Sequence, residues 1–196
     1  MRRIALFLLL LIPCLAAGQQ KHLEAQAQEK FAPGGLIRLQ LSPGGYTIAG
    51  GDSDSIQVTC KGANPDRLKR VKVKIHTSPS VADVSISDTP HNNFQATIEV
   101  PPRSNLRVHV VAGEVIIGGV EGDKDVEVDF GRIEIKIPHP EEYGRREASV
   151  RAGSIEASAF DVSKGGLFRS FEQRGKGKYR LHAHVTTGEI DLRGSQ

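Results

Sequence analysis

The sequence predicts an all-β protein whose short strands stack as repeats, in the manner of a β-solenoid or β-roll. After Phe31, nearly every segment carries apolar residues at alternate positions, which is the period of a half-buried strand. Glycine and proline interrupt these segments throughout. A glycine-centred unit also recurs at a spacing of about 20 residues, which indicates stacked supersecondary units. An antiparallel stack of hairpins or a β-sandwich is the alternative arrangement of the same strands.

The N-terminus has the order of a secretory signal peptide. Arg2 and Arg3 precede an apolar run over residues 4–12, and small residues follow up to Gly18. The apolar run is shorter than the roughly 20 residues that span a membrane. We therefore expect cleavage near Gly18, so that residues 1–18 contact the membrane only during export. The mature chain is then extracytoplasmic, either periplasmic or at the cell surface or secreted; an uncleaved anchor is the alternative.

The two cysteines indicate neither a lipid anchor nor a disulfide. Cys14 resembles the lipidated cysteine of bacterial lipoproteins, but Pro13 stands where that pattern requires a small residue. Once the signal peptide is removed, Cys60 is the only cysteine and cannot close an intramolecular disulfide. Because Cys60 continues an alternating apolar run, we expect it to be a buried core residue.

Composition divides the mature chain into a linker and one domain. Residues 19–30 are polar and predict a linker, and residues 31–196 hold the β-repeats. The formal net charge is only +3 and tryptophan is absent. In the densest basic segment, residues 69–74, lysines alternate with apolar residues, as expected on the solvent-exposed face of a strand. Nucleic-acid binding is therefore not expected, since it usually combines a basic surface with aromatics or a known motif.

Glycines mark the centre of each repeat. Around Gly131, Val126, Val128 and Phe130 precede the glycine in one alternation and are predicted to face the interior, and the isoleucines after it follow the opposite alternation. We therefore predict a two-residue corner at each glycine, because glycine reaches positive φ without a Cβ clash. The five corner glycines are Gly44, Gly113, Gly131, Gly153 and Gly188.

Two regions depart from this repeat. Between residues 51 and 101 the alternation persists without the glycine, and it predicts strands at Ile56–Cys60, Val71–Ile75, Val81–Ile86 and Phe94–Val100. The stretch Lys164–Gly177 is the least regular, and we predict a long loop there.

Three segments resemble the DUF4097-type putative adhesin domain family of exported bacterial β-repeat proteins. They are FAPGGLIRLQLSPGGYTIAGGDSDSIQVTC, ATIEVPPRSNLRVHVVAGEVIIGGVEGDKDVEVDFGRIEIKI and GKYRLHAHVTTGEIDLRG. The likeness covers residues 31–194 and consists of a strand ending in Val-Pro, an acidic turn and the glycine-centred repeats. It implies an exported β-solenoid-like or β-roll fold with no established enzyme activity. The insertion at residues 164–177 departs from the pattern of the family.

The pair His182 and His184 is the clearest candidate for metal binding. Alternation places both imidazoles on one strand face, about 7 Å apart. With a third ligand they could bind zinc or copper. Because the intervening residues are apolar, we expect both histidines on the outer, solvent face, and two ligands alone make no site.

An acidic row is predicted on the outer face of another strand. Its members are Glu121, Asp123, Asp125, Glu127 and Asp129. Like charges on one face repel, so we expect Arg132 and Lys136 on the next strand to compensate them. Such a charge ladder also blocks unwanted edge pairing. The alternative is a surface for a cation or a basic partner, for which Glu127 and Asp129 are the candidate residues.

The pair Asp52 and Asp54 has the spacing of calcium ligands. The third oxygen ligand, the glycine and the closing glutamate of a calcium loop do not follow in place. We therefore predict a turn in which the aspartates make local hydrogen bonds.

These observations predict a non-enzymatic, extracytoplasmic structural and binding module that resembles an adhesin and uses no cofactor or metal. The sequence lacks a nucleophile elbow, a phosphate loop and a His-Glu-x-x-His motif. Partners would be an envelope polymer, a surface protein or another copy of the chain. A β-helical carbohydrate-active enzyme is one alternative, disfavoured by the lack of tryptophan for sugar stacking. A metal-binding envelope protein centred on His182 and His184 is the other.

Overall fold

The structure, a computed structural model, describes residues 25–194 and is all-β. The predicted signal peptide lies outside the described residues. The strands are β1 (Ala25–Lys30), β2 (Leu36–Leu41), β3 (Gly44–Gly50), β4 (Ser55–Lys61), β5 (Lys72–Thr77), β6 (Val81–Ser87), β7 (Gln95–Val100), β8 (Asn105–Gly118), β9 (Lys124–Ile137), β10 (Tyr143–Ala157), β11 (Val162–Arg174) and β12 (Tyr179–Gly194). One four-residue helix, α1 (Pro65–Leu68), and two 3-10 turns (Pro140–Glu142 and Ser158–Phe160) complete the described chain. Within residues 25–194, no helix has the length and apolarity needed to cross a membrane.

The twelve strands of the described chain form one open, mixed sheet. Its main path runs β1-β4-β7-β3-β8-β9-β12-β10-β11, and β2 joins β8 to a branch through β6 and β5. The strands β8, β9, β12 and β10 are parallel neighbours, whereas the pairs β1–β4, β4–β7, β5–β6 and β10–β11 are antiparallel. The buried side chains of the described residues form one continuous apolar cluster.

The first strand corrects one prediction. Residues 25–30, predicted as part of a polar linker, form β1, in which Ala25 lies opposite Cys60 of β4. β1 pairs with only one neighbour, and most of its described side chains are exposed. An edge strand of this kind buries too few side chains to show an apolar alternation, which explains its polar composition.

The repeat glycines lie in register across the sheet. Gly44 pairs with Gly113, Gly113 with Gly131, Gly131 with Gly188, and Gly188 with Gly153. The four long strands continue through their glycines instead of ending there. β2 and β3 together pair with β8 in the register of one such long strand. Only residues 42–43 separate them, and the proline there lacks the N–H that a ladder hydrogen bond requires.

Gly131 shows why the four long strands require glycine at this position, whereas Gly44 has no positive φ. Its φ is +140°, and a Cβ built on it would lie 1.8 Å from the carbonyl oxygen of Gly113. The apolar alternation changes phase across it, since Val126 and Val128 are buried before the glycine and Ile133 and Ile135 after it. Each long strand therefore has a first and a second half that contribute to the same core.

Phe130 corrects the predicted inner face. It was predicted to face the interior with Val126 and Val128, but it is 57% exposed. Residues one before the glycine in the other long strands are also partly or largely exposed. The strand therefore begins to change direction before the glycine. The last buried residue of its first half is Val128, three positions before Gly131.

The stretch Lys164–Gly177 also corrects a prediction. Most of it belongs to β11, which runs antiparallel to β10 along the sheet edge, rather than to a long loop. Phe171 is the only described β11 side chain that is fully buried, so the strand shows no apolar alternation in the sequence. β11 returns the chain so that β12 enters between β9 and β10, and the units do not stack in chain order.

Candidate functional site

The candidate site lies on the outward side of the first halves of β8, β9, β12 and β10, which we call the N-side face. Strand register arranges its side chains in two rows that cross the four strands. The first row contains Arg107, Asp125, His182 and Glu147; the second contains His109, Glu127, His184 and Ser149. These residues alternate with buried apolar ones, so the strand period alone holds the polar groups on one surface.

Asp125 is the best-connected member of the first row. Its Oδ1 lies 2.8 Å from Nδ1 of His182, and its Oδ2 accepts a hydrogen bond of 3.1 Å from Nε of Arg107. The three residues belong to three neighbouring strands. Asp125 therefore connects β8 to β12 across the outer face.

Glu127 has no partner for its charge among residues 25–194. It is exposed, and its carboxylate makes no hydrogen bond or ion pair with any residue of the described chain. One of its oxygens, one carboxylate oxygen of Asp125 and one ring nitrogen of His182 all lie within 4.8 Å of one another. The register brings this trio together from β9 and β12.

The other two predicted candidates, Asp129 and His184, are held by different partners. Asp129 Oδ2 lies 3.6 Å from Nε2 of His109 on β8, an ion pair only when the imidazole is protonated. His184 Nδ1 lies 2.8 Å from the hydroxyl oxygen of Ser149 on β10. The structure thus brings His182, rather than His184, into the group with Glu127.

A groove of about 520 Å³ opens at the start of the N-side face. Arg107, Asp125 and His182 line it, together with Arg145, Arg180, Asp123, Glu147 and apolar residues at the ends of the core. At the rim of the groove, the Asp123 carboxylate accepts a hydrogen bond of 2.9 Å from the backbone N–H of Arg180. The same carboxylate lies 3.4 Å from the Arg180 guanidinium. Both charge signs are therefore presented to a ligand, and each has a partner within the protein.

Lys124 is a buried cation that sequence reasoning missed. It is 1% exposed and lies in register with Leu106 and Leu181. Its Nζ donates to the carbonyl oxygen of Gly122 at 3.2 Å and to the hydroxyl of Tyr143. Burial lowers the pKa of Lys124 to about 8. The one sequence signal for its burial was that Lys124 lies in the same alternation as the buried valines of β9.

Arg132 and Lys136 correct the predicted compensation of the acidic row. Both lie on β9 itself, beyond Gly131, and not on the next strand. Two members of the acidic row are compensated instead by neighbouring strands, Asp125 by Arg107 of β8 and Asp123 by Arg180 of β12.

Arg132 belongs to a second charged cluster, on the outward side of the second strand halves, which we call the C-side face. Its guanidinium lies 3.0 Å from Asp191 and 3.5 Å from Glu134, and Arg193 lies 2.7 Å and 3.5 Å from the same two carboxylates. The carboxylate side chains are only 15% and 11% exposed. Each is therefore compensated by two arginines within the protein.

Two further sequence candidates remain isolated from these clusters. Asp52 and Asp54 lie in the exposed connection between β3 and β4. Cys60 is buried and free, as expected for a core residue, and burial raises the pKa of its thiol to about 11. A thiol in this state is protonated at neutral pH and is a poor nucleophile.

Comparison with known proteins shows the fold. No family model and no curated protein matches the sequence, so the DUF4097-type resemblance stays a prediction. A solved structure of a "putative cell adhesion protein" from Clostridium sporogenes matches 88% of this chain and 100% of that chain, at 12% identity and a TM-score of 0.54. A "putative adhesin" from Bacteroides fragilis matches 86% of this chain and 97% of that chain, at 12% identity and a TM-score of 0.39. The first likeness establishes a shared fold, and the second is too distant to add to it.

Proposed function

We propose that this chain is a non-enzymatic, adhesin-like binding module that acts outside the cytoplasm through its N-side face. The order of residues at the N-terminus supports export, and the fold shared with the Clostridium sporogenes protein supports a binding role. The glycine register supports a β-roll-like scaffold, in which parallel strands present one long outer surface.

The uncompensated carboxylate of Glu127 is the observation that carries this proposal. This carboxylate is exposed to solvent within a row of polar and charged side chains beside the groove, whereas the carboxylates of the C-side face form ion pairs with arginines. An exposed charge without an internal partner is available to a ligand at little desolvation cost. We therefore infer that the partner presents positive charge to the N-side face.

The arrangement of the carboxylates supports a binding role over a glycosidase. Glycoside hydrolysis needs two carboxyl groups that flank a substrate, one of them kept protonated as the acid. Glu134 and Asp191 are the best-buried carboxylate pair among the described residues, and each forms ion pairs with Arg132 and Arg193. These arginines occupy the space beside both carboxylates that a flanked substrate would need.

Affinity capture from the native cell envelope tests this proposal. We expect the wild-type mature chain to retain a partner that the double variant Glu127→Lys/Asp129→Lys loses. The matched control is Asp52→Lys/Asp54→Lys, which reverses the same charges on an exposed connection away from the face. Capture that survives the first variant, or that both variants abolish equally, would contradict a role for the N-side face.

Cell fractionation with intact-mass analysis tests the proposed location. We expect the chain outside the cytoplasm, with a mass that corresponds to cleavage near Gly18. A full-length chain found in the cytoplasm would refute export while leaving the binding surface to be tested separately.

A further inference from the structure

The N-side face concentrates imidazoles and carboxylates around Glu127. His109 and His184 lie in register with it on the two flanking strands, and Asp125 and Asp129 lie two residues away on its own strand. Three carboxylates along one strand face repel one another unless cations compensate them. Within the described chain, Arg107 compensates Asp125 and His109 faces Asp129, which leaves the charge of Glu127 unbalanced.

The geometry of three of these residues suits a metal ion. One donor atom each of Asp125, Glu127 and His182 falls within a mutual distance of 4.8 Å. Ligands around a tetrahedral zinc lie about 3.4 Å apart, given metal–ligand bonds of about 2.1 Å. A change of rotamer at the exposed Glu127 side chain can adjust these distances, because paired strands fix the backbones of Asp125 and His182.

We propose that Asp125, Glu127 and His182 bind a divalent transition-metal ion of the zinc class. An imidazole together with two carboxylates is a donor set that zinc accepts, whereas calcium and magnesium prefer oxygen ligands alone. Three protein ligands leave a fourth position open for water or for a group of a partner. The site goes beyond the proposed binding role, because the ion needs no partner in order to bind.

The contacts among the proposed ligands are compatible with a bound ion. Arg107 donates to Oδ2 of Asp125, and Oδ1 lies 2.8 Å from Nδ1 of His182, a contact that an ion bound to both residues would replace. His182 uses only one ring nitrogen in this contact, and both its side chain and that of Asp125 are more than one-third exposed. The second-row histidine His184 is held by Ser149 and is not needed as a ligand.

Calorimetric titration of the mature chain with zinc chloride in a non-chelating buffer tests the site. We expect one ion per chain, and a loss of affinity of at least about tenfold in each of His182→Gln and Glu127→Gln. The control is His139→Gln/Glu141→Gln, which removes a histidine and a carboxylate 3.5 Å apart that have no third ligand within residues 25–194. This control should bind zinc like the wild type.

Cobalt(II) provides a second readout that does not depend on affinity alone. We expect the wild type to show the intense visible absorption of a four- or five-coordinate cobalt ion, and His182→Gln to lose it while keeping the wild-type melting temperature. No stoichiometric binding, or binding and spectra unchanged in both ligand variants, would overturn the site. Partner capture repeated with a chelator separates the two proposals, since capture that survives chelation leaves the binding role intact.

Discussion

The Nζ amine of Lys124 donates a hydrogen bond to the hydroxyl oxygen of Tyr143 among the buried residues of the fold. The same amine lies 5.0 Å from the centre of the Tyr143 ring. A buried ammonium is costly even with such partners, which explains why the pKa of Lys124 is lowered to about 8. The pair therefore links the stability of the fold to pH.

We expect the stability of the wild type to rise between pH 8 and pH 9 relative to Lys124→Met. The lysine pKa is about 8 in the folded chain and near its ordinary value of 10.5 when unfolded, so the unfolded chain binds more protons in this interval. Stability then increases with pH, by about 1 kcal/mol over the unit. Denaturant titrations of both proteins at the two pH values measure the difference, and parallel profiles would contradict a folded-state shift.

Gly131→Ala should destabilise the fold by about 2 kcal/mol or more. The new Cβ would meet the carbonyl oxygen of Gly113 at 1.8 Å, and the φ of +140° is strained for any other residue. Gly165→Ala is the control, because nothing lies within 4 Å of its Cβ position and its φ is not in the strained range. Equal unfolding midpoints for these two variants would show that the glycine column is not required.

Phe168→Gly should stabilise the protein by about 1 kcal/mol. Phe168 has a φ of +50° and is 76% exposed, so the substitution relieves backbone strain and loses little packing. Its neighbour Leu167 is 64% exposed without a positive φ, and Leu167→Gly should instead lose some stability. Thermal unfolding compares the two, and a loss in both would mean that Phe168 is not strained.

The double variant Arg132→Met/Arg193→Met should lose about 2 kcal/mol of stability. It leaves Glu134 and Asp191 largely buried without their cations. Arg38→Met removes an exposed ion pair with Asp83 and should change stability by less than about 1 kcal/mol. Similar losses in both variants, measured by denaturant titration, would rule out a special role for the shielded cluster.

Local strand pattern was predictable from the sequence wherever one side of a strand is buried. The run Ile56–Cys60 predicted β4, and Val126 and Val128 were placed correctly in the core. β11 was not predicted, because nearly all of its side chains are exposed and its sequence therefore has no alternation of apolar and polar residues. Phe130 was misplaced because apolar character alone does not reveal where a strand begins to change direction.

The candidate site depended on pairings that one sequence does not contain. The sequence indicated His182 as a candidate ligand on a strand. The acidic residue nearest to it in space, Asp125, is 57 residues away along the chain. That contact exists only because β12 enters between β9 and β10, out of chain order. Lys124 was missed because a lysine in an inward position is rare and its partner Tyr143 comes from another strand.

Photocrosslinking in intact cells tests the binding surface most directly. The photoreactive residue p-benzoylphenylalanine replaces Phe130 in one strain, which leaves Glu127 on the same strand intact, and Asp52 in the other; both positions are exposed. We expect light to join the chain to a partner from position 130 and to give no such product from position 52. A product from position 52 alone, or from neither position, would contradict a partner on the N-side face.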